Sequence, residues 1–180
     1  KIFVKDAGKT LLQIVDNGCG MSEKDLKMCF ERHATSKIKS AEDLFNIQSM
    51  GFRGEAMASI AAISHVEVNS KLTDKELGSH LIIEGSEITT HEDCASANGT
   101  SIKVKNLFYN VPARRNFLKS DQVEMRHITE EFIRVALGNP KVKMQLFHNN
   151  NELFHLPSSN FRQRIVNIIG AVILPRFEVI

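Results

Sequence analysis

The stretch "KIFVKDAGKTLLQIVDNGCGM" (Lys1 to Met21) decides the fold. Ile2 and Val4 before "DAGK", and Leu12 and Ile14 after it, alternate as strand residues do, so the segment reads as a β-hairpin whose turn uses Gly8. The second strand runs into "DNGCG" (Asp16 to Gly20), where two glycines permit backbone conformations closed to other residues. Strict strand–helix alternation is absent along the chain, which argues against a doubly wound parallel sheet.

Downstream the pattern continues in hairpins and helices. Ser22 caps a helix, with Asp25 completing a capping-box-like pair and Leu26, Cys29 and Phe30 forming the buried stripe. "RHATSKIKS" (Arg32 to Ser40) has no period and reads as an exposed loop, and Ser40 opens a short helix with Leu44, Phe45 and Ile47. A helix is expected from about Glu55 to Ile63, then strands in "HVEVNSK" and "HLIIEG", with "SEITTHEDCASANG" as a strand end and loop. "TSIKVKNLF" (Thr100 to Phe108) is another strand and "YNVPARRNFLK" a basic turn. Met125, Ile128, Phe132 and Val135 or Ala136 stand at helical spacing from Val123 to Leu137, and Gly138, Asn139 and Pro140 end that helix. "KVKMQLFHNNNELFHLP" is a hairpin turning on Asn149 to Asn151, since asparagine tolerates positive φ. The pattern breaks at Ser158 to Asn160, where a domain boundary is placed, and "FRQRIVNIIGAV" starts a new amphipathic helix. Hairpins mixed with helices make an α+β fold, with helices layered on one face of a sheet.

Composition narrows the function classes. The chain has 180 residues, 42% of them hydrophobic and 24% charged, which is globular rather than disordered. A net charge of +2 announces no nucleic-acid binder, so any basic surface is local. No apolar run approaches the roughly 18 residues of a membrane span, and no secretory pattern opens the chain. Cys19, Cys29 and Cys94 are an odd number without a CxxC pair, which fits a reducing intracellular compartment. "HEDC" (His91 to Cys94) is the nearest approach to a metal cluster, and a polar loop explains it as well. Both ends read as cuts through a longer protein.

Four stretches carry candidate chemistry, and each keeps a plain structural alternative. "VDNGCGM" is either a turn or a site where Asp16, at a strand end, accepts a hydrogen bond from an exocyclic amine such as that of adenine while glycines let a flat ligand approach. "MGFRGEAMASI" is either a glycine bend or a phosphate cradle: Gly51 and Gly54 clear space, and the backbone amides of Arg53 to Met57 face an anion at a helix start. Glu55 there suits the dipole or orients the loop. "HATSK" is either a solvated loop or a segment whose Thr35, Ser36 and Lys37 fold over a triphosphate. In "YNVPARRNF", Arg114 and Arg115 make either intramolecular ion pairs or contacts to a phosphate backbone.

Taken in order and spacing, "VDNGCGM", "RHATSKI", "MGFRGEAMASI" and "GTSIKVKNLFYNVPARRNFL" resemble the MutL family of DNA mismatch-repair proteins, within the GHKL ATPase superfamily of DNA gyrase B, Hsp90 and histidine kinases. The first motif is shared across the superfamily, whereas the others are specific to MutL-like proteins. The resemblance implies a Bergerat/GHKL-type two-layer sandwich on a mostly antiparallel sheet over residues 1–157, with residues 158–180 beginning a second, transducer domain like ribosomal protein S5. It implies that Asp16 recognises the adenine amine, that Gly18 and Gly20 shape the pocket, and that Thr35, Ser36 and Lys37 form an ATP lid. Gly51, Arg53, Gly54, Glu55, Ala56 and Met57 correspond to the phosphate cradle, and Thr100 to the threonine on the adenine side. Met57 stands where the family often has leucine, a volume-conserving departure.

ATP and Mg²⁺ are the implied cofactors. The family's general-base glutamate and Mg²⁺-binding asparagine lie on a helix ahead of the first strand, and the lysine that reaches the γ-phosphate comes from the second domain. No catalytic or metal-ligating residue is therefore assigned in this chain, and the chain alone is expected to bind nucleotide weakly without hydrolysing it. Further expectations are an ATP-hydrolysing clamp that contacts DNA largely independently of sequence, works with a mismatch-recognition protein and a downstream nuclease or helicase, and dimerises with itself or a paralogue. Its expected place is a bacterial cytoplasm or nucleoid ahead of a eukaryotic nucleus. Two alternatives stay open: another GHKL ATPase of topoisomerase or chaperone type, and a non-enzymatic, nucleotide-regulated interaction module.

Overall fold

The computed structural model describes residues 1–32 and 54–173. Strand β1 (Ile2–Lys5) turns through a 3-10 segment (Asp6–Gly8) into β2 (Leu11–Val15), and helix α1 (Glu23–Met28) follows the glycine loop. Helix α2 (Ala56–Ala61) precedes β3 (His65–Lys71), β4 (Gly78–Glu84), β5 (Glu87–Cys94) and β6 (Gly99–Lys105). Helices α3 (Pro112–Arg115) and α4 (Asp121–Gly138), strands β7 (Met144–His148) and β8 (Asn151–Leu156), and helix α5 (Phe161–Ile173) follow. The expected lid residues Thr35, Ser36 and Lys37, the helix expected after Ser40, and Gly51 and Arg53 lie outside the described residues. The rest forms two units, one of residues 15–115 and one of residues 1–14 with those from 116 on.

Within the unit of residues 15–115, β3 pairs antiparallel with both β4 and β6, and β4 with β5. Strand β3 alternates cleanly: Val66, Val68 and Ser70 are buried, and His65, Glu67 and Asn69 point the other way. The buried side joins Leu81 and Ile83 of β4, Leu26 of α1, Phe30 just after α1, and Ala61 of α2 in one apolar cluster. The opposite face is polar, which an antiparallel sheet with helices on one side allows. There Glu67 accepts from Lys103 Nζ at 2.6 Å and Lys105 Nζ at 2.5 Å across the β3–β6 pair.

In the other unit β1 pairs antiparallel with β2, through Val4↔Leu12, and parallel with β7, through Ile2↔Leu146. Strand β8 returns antiparallel on β7. Val4, Leu146, Phe154 and Leu156 meet Phe132 and Ala136 of α4 and Ile168 of α5 in a second core. The fold is α+β, a mixed, open sheet with helices, as expected.

Local sequence accounts for most of the boundaries. Ser22 Oγ accepts from Asp25 N and caps α1 as expected. Asn149 and Asn150, at φ 47° and 69°, make the β7–β8 turn, and Gly85 and Ser86, at 58° and 73°, make the β4–β5 turn. That second turn corrects the reading of "SEITTHEDCASANG" as a strand end and loop: residues 87–94 are a full strand. Its apolar alternation is faint because nearly all of β5 is exposed and its pairing to β4 rests on backbone hydrogen bonds. The strand expected to reach Phe108 ends at Lys105, where Asn106 adopts φ 53°. "PARR" forms the short helix α3 rather than a turn, starting on a proline that has no N–H to satisfy. Helix α5 lies within the 158–180 stretch, and its Ile168 packs with Leu146 and Leu156. Arg164, wholly buried, donates from one guanidinium nitrogen to the carbonyls of Pro140, Val142 and Pro157 at 2.7, 2.6 and 3.1 Å.

Candidate functional site

Asp16 stands where β2 ends, and its backbone is tied before its side chain is used. Asp16 N donates to the carbonyl of Thr100 at 2.8 Å. Its Oδ1 accepts from Gly18 N at 2.8 Å and from Thr100 N at 3.2 Å. Both bonds fall on one carboxylate oxygen, and among the described residues Oδ2 keeps its acceptor capacity on an exposed residue. A carboxylate held in this way is oriented through one oxygen.

Two glycines set how closely the surrounding backbone packs. A β-carbon at Gly99, whose φ is +103°, would lie 2.4 Å from the Asp16 carbonyl oxygen. A β-carbon at Gly20, at φ +74°, would lie 2.1 Å from the carbonyl oxygen of Lys71. Neither position admits a side chain. Gly18 differs: a β-carbon there meets only the Asp16 carboxylate, at 3.0 Å and beyond. A side chain at 18 would crowd the acceptor itself, so this glycine keeps the approach to Asp16 clear.

Behind Asp16 lies a pair of buried hydroxyls. Ser70 Oγ and Thr100 Oγ1 are 2.9 Å apart, and the two residues are 1% and 8% exposed. Ser70 Oγ also accepts from Met21 N at 2.8 Å and lies 3.3 Å from the carbonyl of Gly99. One side chain thus links the end of β3 to the glycine loop and to the start of β6. Gly99 and Ser70 were not among the residues singled out from sequence. For Ser70 a signal existed: it occupies the third inward position of "VEVNS", after Val66 and Val68, where periodicity calls for an apolar residue.

The other expected residues are placed less completely. Gly54 has φ +66° and precedes α2, whose N-cap is Glu55 and which starts at Ala56. Met57 turns its side chain toward the cluster of Leu26, Val66 and Leu81, so only its backbone is left to a ligand. Arg114 and Arg115 are exposed on α3, and among the described residues neither forms an ion pair. "HEDC" lies in β5, where His91 approaches Glu23 at 3.4 Å. Among the described residues no group of three or more His, Cys, Asp or Glu side chains converges as a metal site would require. No described helix is long and apolar enough to cross a membrane.

The arrangement holds an oriented hydrogen-bond acceptor between close-packed backbones. Known proteins agree on where such a chain belongs. It is 62% identical over 170 residues, 94% of its length, to the DNA mismatch repair protein MutL of Christiangramia forsetii, and 60% identical over the same share to that of Flavobacterium psychrophilum. The chain spans 28% of each of those relatives. Among solved structures, the Aquifex aeolicus MutL ATPase domain complexed with ADP is 26% identical and superposes with a TM-score of 0.75, over 93% of this chain and 59% of that one. The N-terminal domain of a DNA repair protein, 24% identical with a TM-score of 0.76 over 95% of this chain and 51% of that one, shows the same fold. No protein-family model matches the chain. By its relatives and its architecture, the chain belongs to the MutL family of DNA mismatch repair proteins, within the family's N-terminal GHKL-type ATPase region.

Proposed function

We propose that this region binds ATP and that the whole protein is an ATP-hydrolysing clamp coupling mismatch recognition to downstream repair. The observation that carries the reading is the Asp16 carboxylate, oriented by the amides of Gly18 and Thr100 at one oxygen with the other left to read an adenine amine. The Aquifex aeolicus MutL ATPase domain, which shares the fold, is complexed with ADP, which supports a nucleotide here.

Gly18 and Gly20 shape the adenine recess, with Thr100 on its inner side. Gly51, Arg53, Gly54, Glu55, Ala56 and Met57 supply the loop and helix start that face the phosphates, and Thr35, Ser36 and Lys37 cover them. Mg²⁺ enters with the triphosphate; its asparagine ligand, like the general-base glutamate, belongs by family resemblance to a helix ahead of the first strand. Residues 158–180 lead into the transducer domain. Arg114 and Arg115 contact the DNA backbone, as point charges without sequence preference. The mismatch-recognition protein, a downstream nuclease or helicase, and a second MutL-type subunit are the partners of the complete protein.

Asp16→Asn in the full-length protein tests the reading. Asparagine keeps an oxygen for the two amides but replaces the second oxygen by an N–H donor, which opposes an amine. Binding of adenylyl imidodiphosphate should weaken about 100-fold or more while the thermal midpoint stays near that of the parent, since a mispaired polar group costs roughly 1–3 kcal/mol and a repulsive pair more. Unchanged nucleotide affinity would remove Asp16 from the site.

A further inference from the structure

We propose that the side of β1 and β7 turned away from the core is a base-stacking platform for unpaired nucleotides of a single strand, with Phe3 and Phe147 as its aromatic pair. It is separate from the phosphate contacts of Arg114 and Arg115, and it does not rest on the nucleotide site at Asp16.

Alternation along β1 sends Ile2 and Val4 to one side of the sheet and Phe3 and Lys5 to the other. Helices α4 and α5 bring Phe132, Ala136 and Ile168 to the core on the Val4 side. On the other side the parallel register sets Phe3 against Phe147. Their rings stack with centroids 4.9 Å apart and planes 14° from parallel. Both rings are partly exposed, beside a cavity of about 240 Å³ that Lys5, Leu11, Gln13 and Asn150 also line. Gln13 and Gln145 give this side the polar character expected of a sheet face turned to water, so a paired aromatic cluster stands out there.

The charges favour an anion. Lys5 is exposed and, among the described residues, forms no ion pair. Glu152, the acid set opposite Phe147, is already engaged: it accepts from Gln145 Nε2 at 2.6 Å and contacts His155 Nδ1 at 3.0 Å. An aromatic ring takes the face of any base, an ammonium takes a neighbouring phosphate, and side-chain amides offer donors and acceptors to a base edge. Bases in a duplex are stacked on one another and present only their edges, so such a platform prefers unpaired strands. A peptide aromatic would also stack, but would leave Lys5 without an anion.

The test uses the full-length protein and three fluorescein-labelled probes at one salt concentration: a thymidine dodecamer, a strand of equal length built of abasic sugars, and a duplex. In anisotropy titrations Phe147→Leu, which keeps apolar bulk and loses the aromatic face, should weaken the thymidine strand about tenfold and leave the abasic strand and the duplex within about twofold. Phe3→Leu should repeat that loss, and Phe147→Tyr should bind as the parent does. Lys5→Gln should weaken the thymidine and abasic strands alike and lower the slope of log affinity against log salt by roughly 0.7. With photoreactive 4-thiothymidine in the strand, crosslinks in the parent protein should map to the peptides holding Phe3 or Phe147, which decides the matter if the leucine variants fail to fold. Parental affinity for the thymidine strand in both leucine variants would overturn the proposal and assign the pair to packing or to a protein contact. Equal losses on all three probes, a Lys5→Gln variant unchanged on both single strands, or crosslinks confined to other peptides would overturn it as well.

Discussion

Gly99 lies directly against Asp16: a β-carbon at 99 would sit 2.4 Å from the Asp16 carbonyl oxygen and 2.8 Å from the α-carbon of Asn17. Asp16 and the start of β6 are thus packed backbone on backbone. Gly99→Ala adds a clash with main chain to a φ of +103° that alanine adopts only under strain. The expected loss is about 2–4 kcal/mol, read as a lower urea midpoint, and nucleotide binding should fall with it because Asp16 must move. A variant with parental stability and affinity would show that this approach is not needed.

Glu67 gives the fold a pH dependence of known sign. Burial by itself would push its carboxyl up, but the hydrogen bonds and charges of Lys103 and Lys105 outweigh burial and hold it down at about 2. A depressed folded value means a contribution fully present above the ordinary glutamate range, near pH 4.5, and lost as pH falls toward about 2. Glu67→Gln should cost on the order of 1–2 kcal/mol at pH 7, because both lysines remain partly solvated. The gap between the two proteins should close between about pH 4.5 and pH 2 in denaturant titrations. A gap that stays constant with pH would assign the effect to packing instead.

Arg164 is a buried charge whose bonds go to carbonyl groups. Its surroundings push the guanidinium below its ordinary value, through burial. Removing it by Arg164→Ala takes this donor from the carbonyls of Val142 and Pro157, while that of Pro140 keeps the Ser159 N–H at 3.0 Å, and opens a cavity at the start of α5. A destabilisation on the order of 3 kcal/mol is expected. Hydrogen exchange should localise it to α5 and the neighbouring end of β8, whereas uniform exchange across β3 to β6 would contradict the assignment.

The cysteines should differ in reactivity. Burial pushes the Cys29 thiol up to about 11, so at pH 8 roughly one molecule in a thousand carries the thiolate. Cys19 is exposed in the glycine loop beside Asp16. Iodoacetamide at pH 8, followed by peptide mass spectrometry, should modify Cys19 well before Cys29, and adenylyl imidodiphosphate should slow the reaction at Cys19 in the full-length protein. Equal rates at the two sites, or no protection at Cys19, would count against the placement of the loop.

How much of this was legible in the chain follows from the range over which each signal acts. Asn149 and Asn150 announced their turn because positive φ is a property of the residue itself. Ser22 announced α1 because a cap and its partner sit three residues apart. The β5 strand stayed hidden because an exposed edge strand needs no apolar alternation. Ser70 was visible only as a polar residue in an apolar register, with nothing nearby to say what it meets.

Sequence alone determined the α+β class, the hairpin turns and the placing of Asp16 among glycines, since periodicity, capping and backbone permissiveness are set within a few neighbouring residues. Tertiary structure decided that β1 pairs parallel with β7, that Ser70 meets Thr100 thirty positions away, and that Glu67 is held by two lysines of another strand. Those pairings depend on register between segments far apart in the chain, and register is fixed only when whole faces of a sheet are buried together.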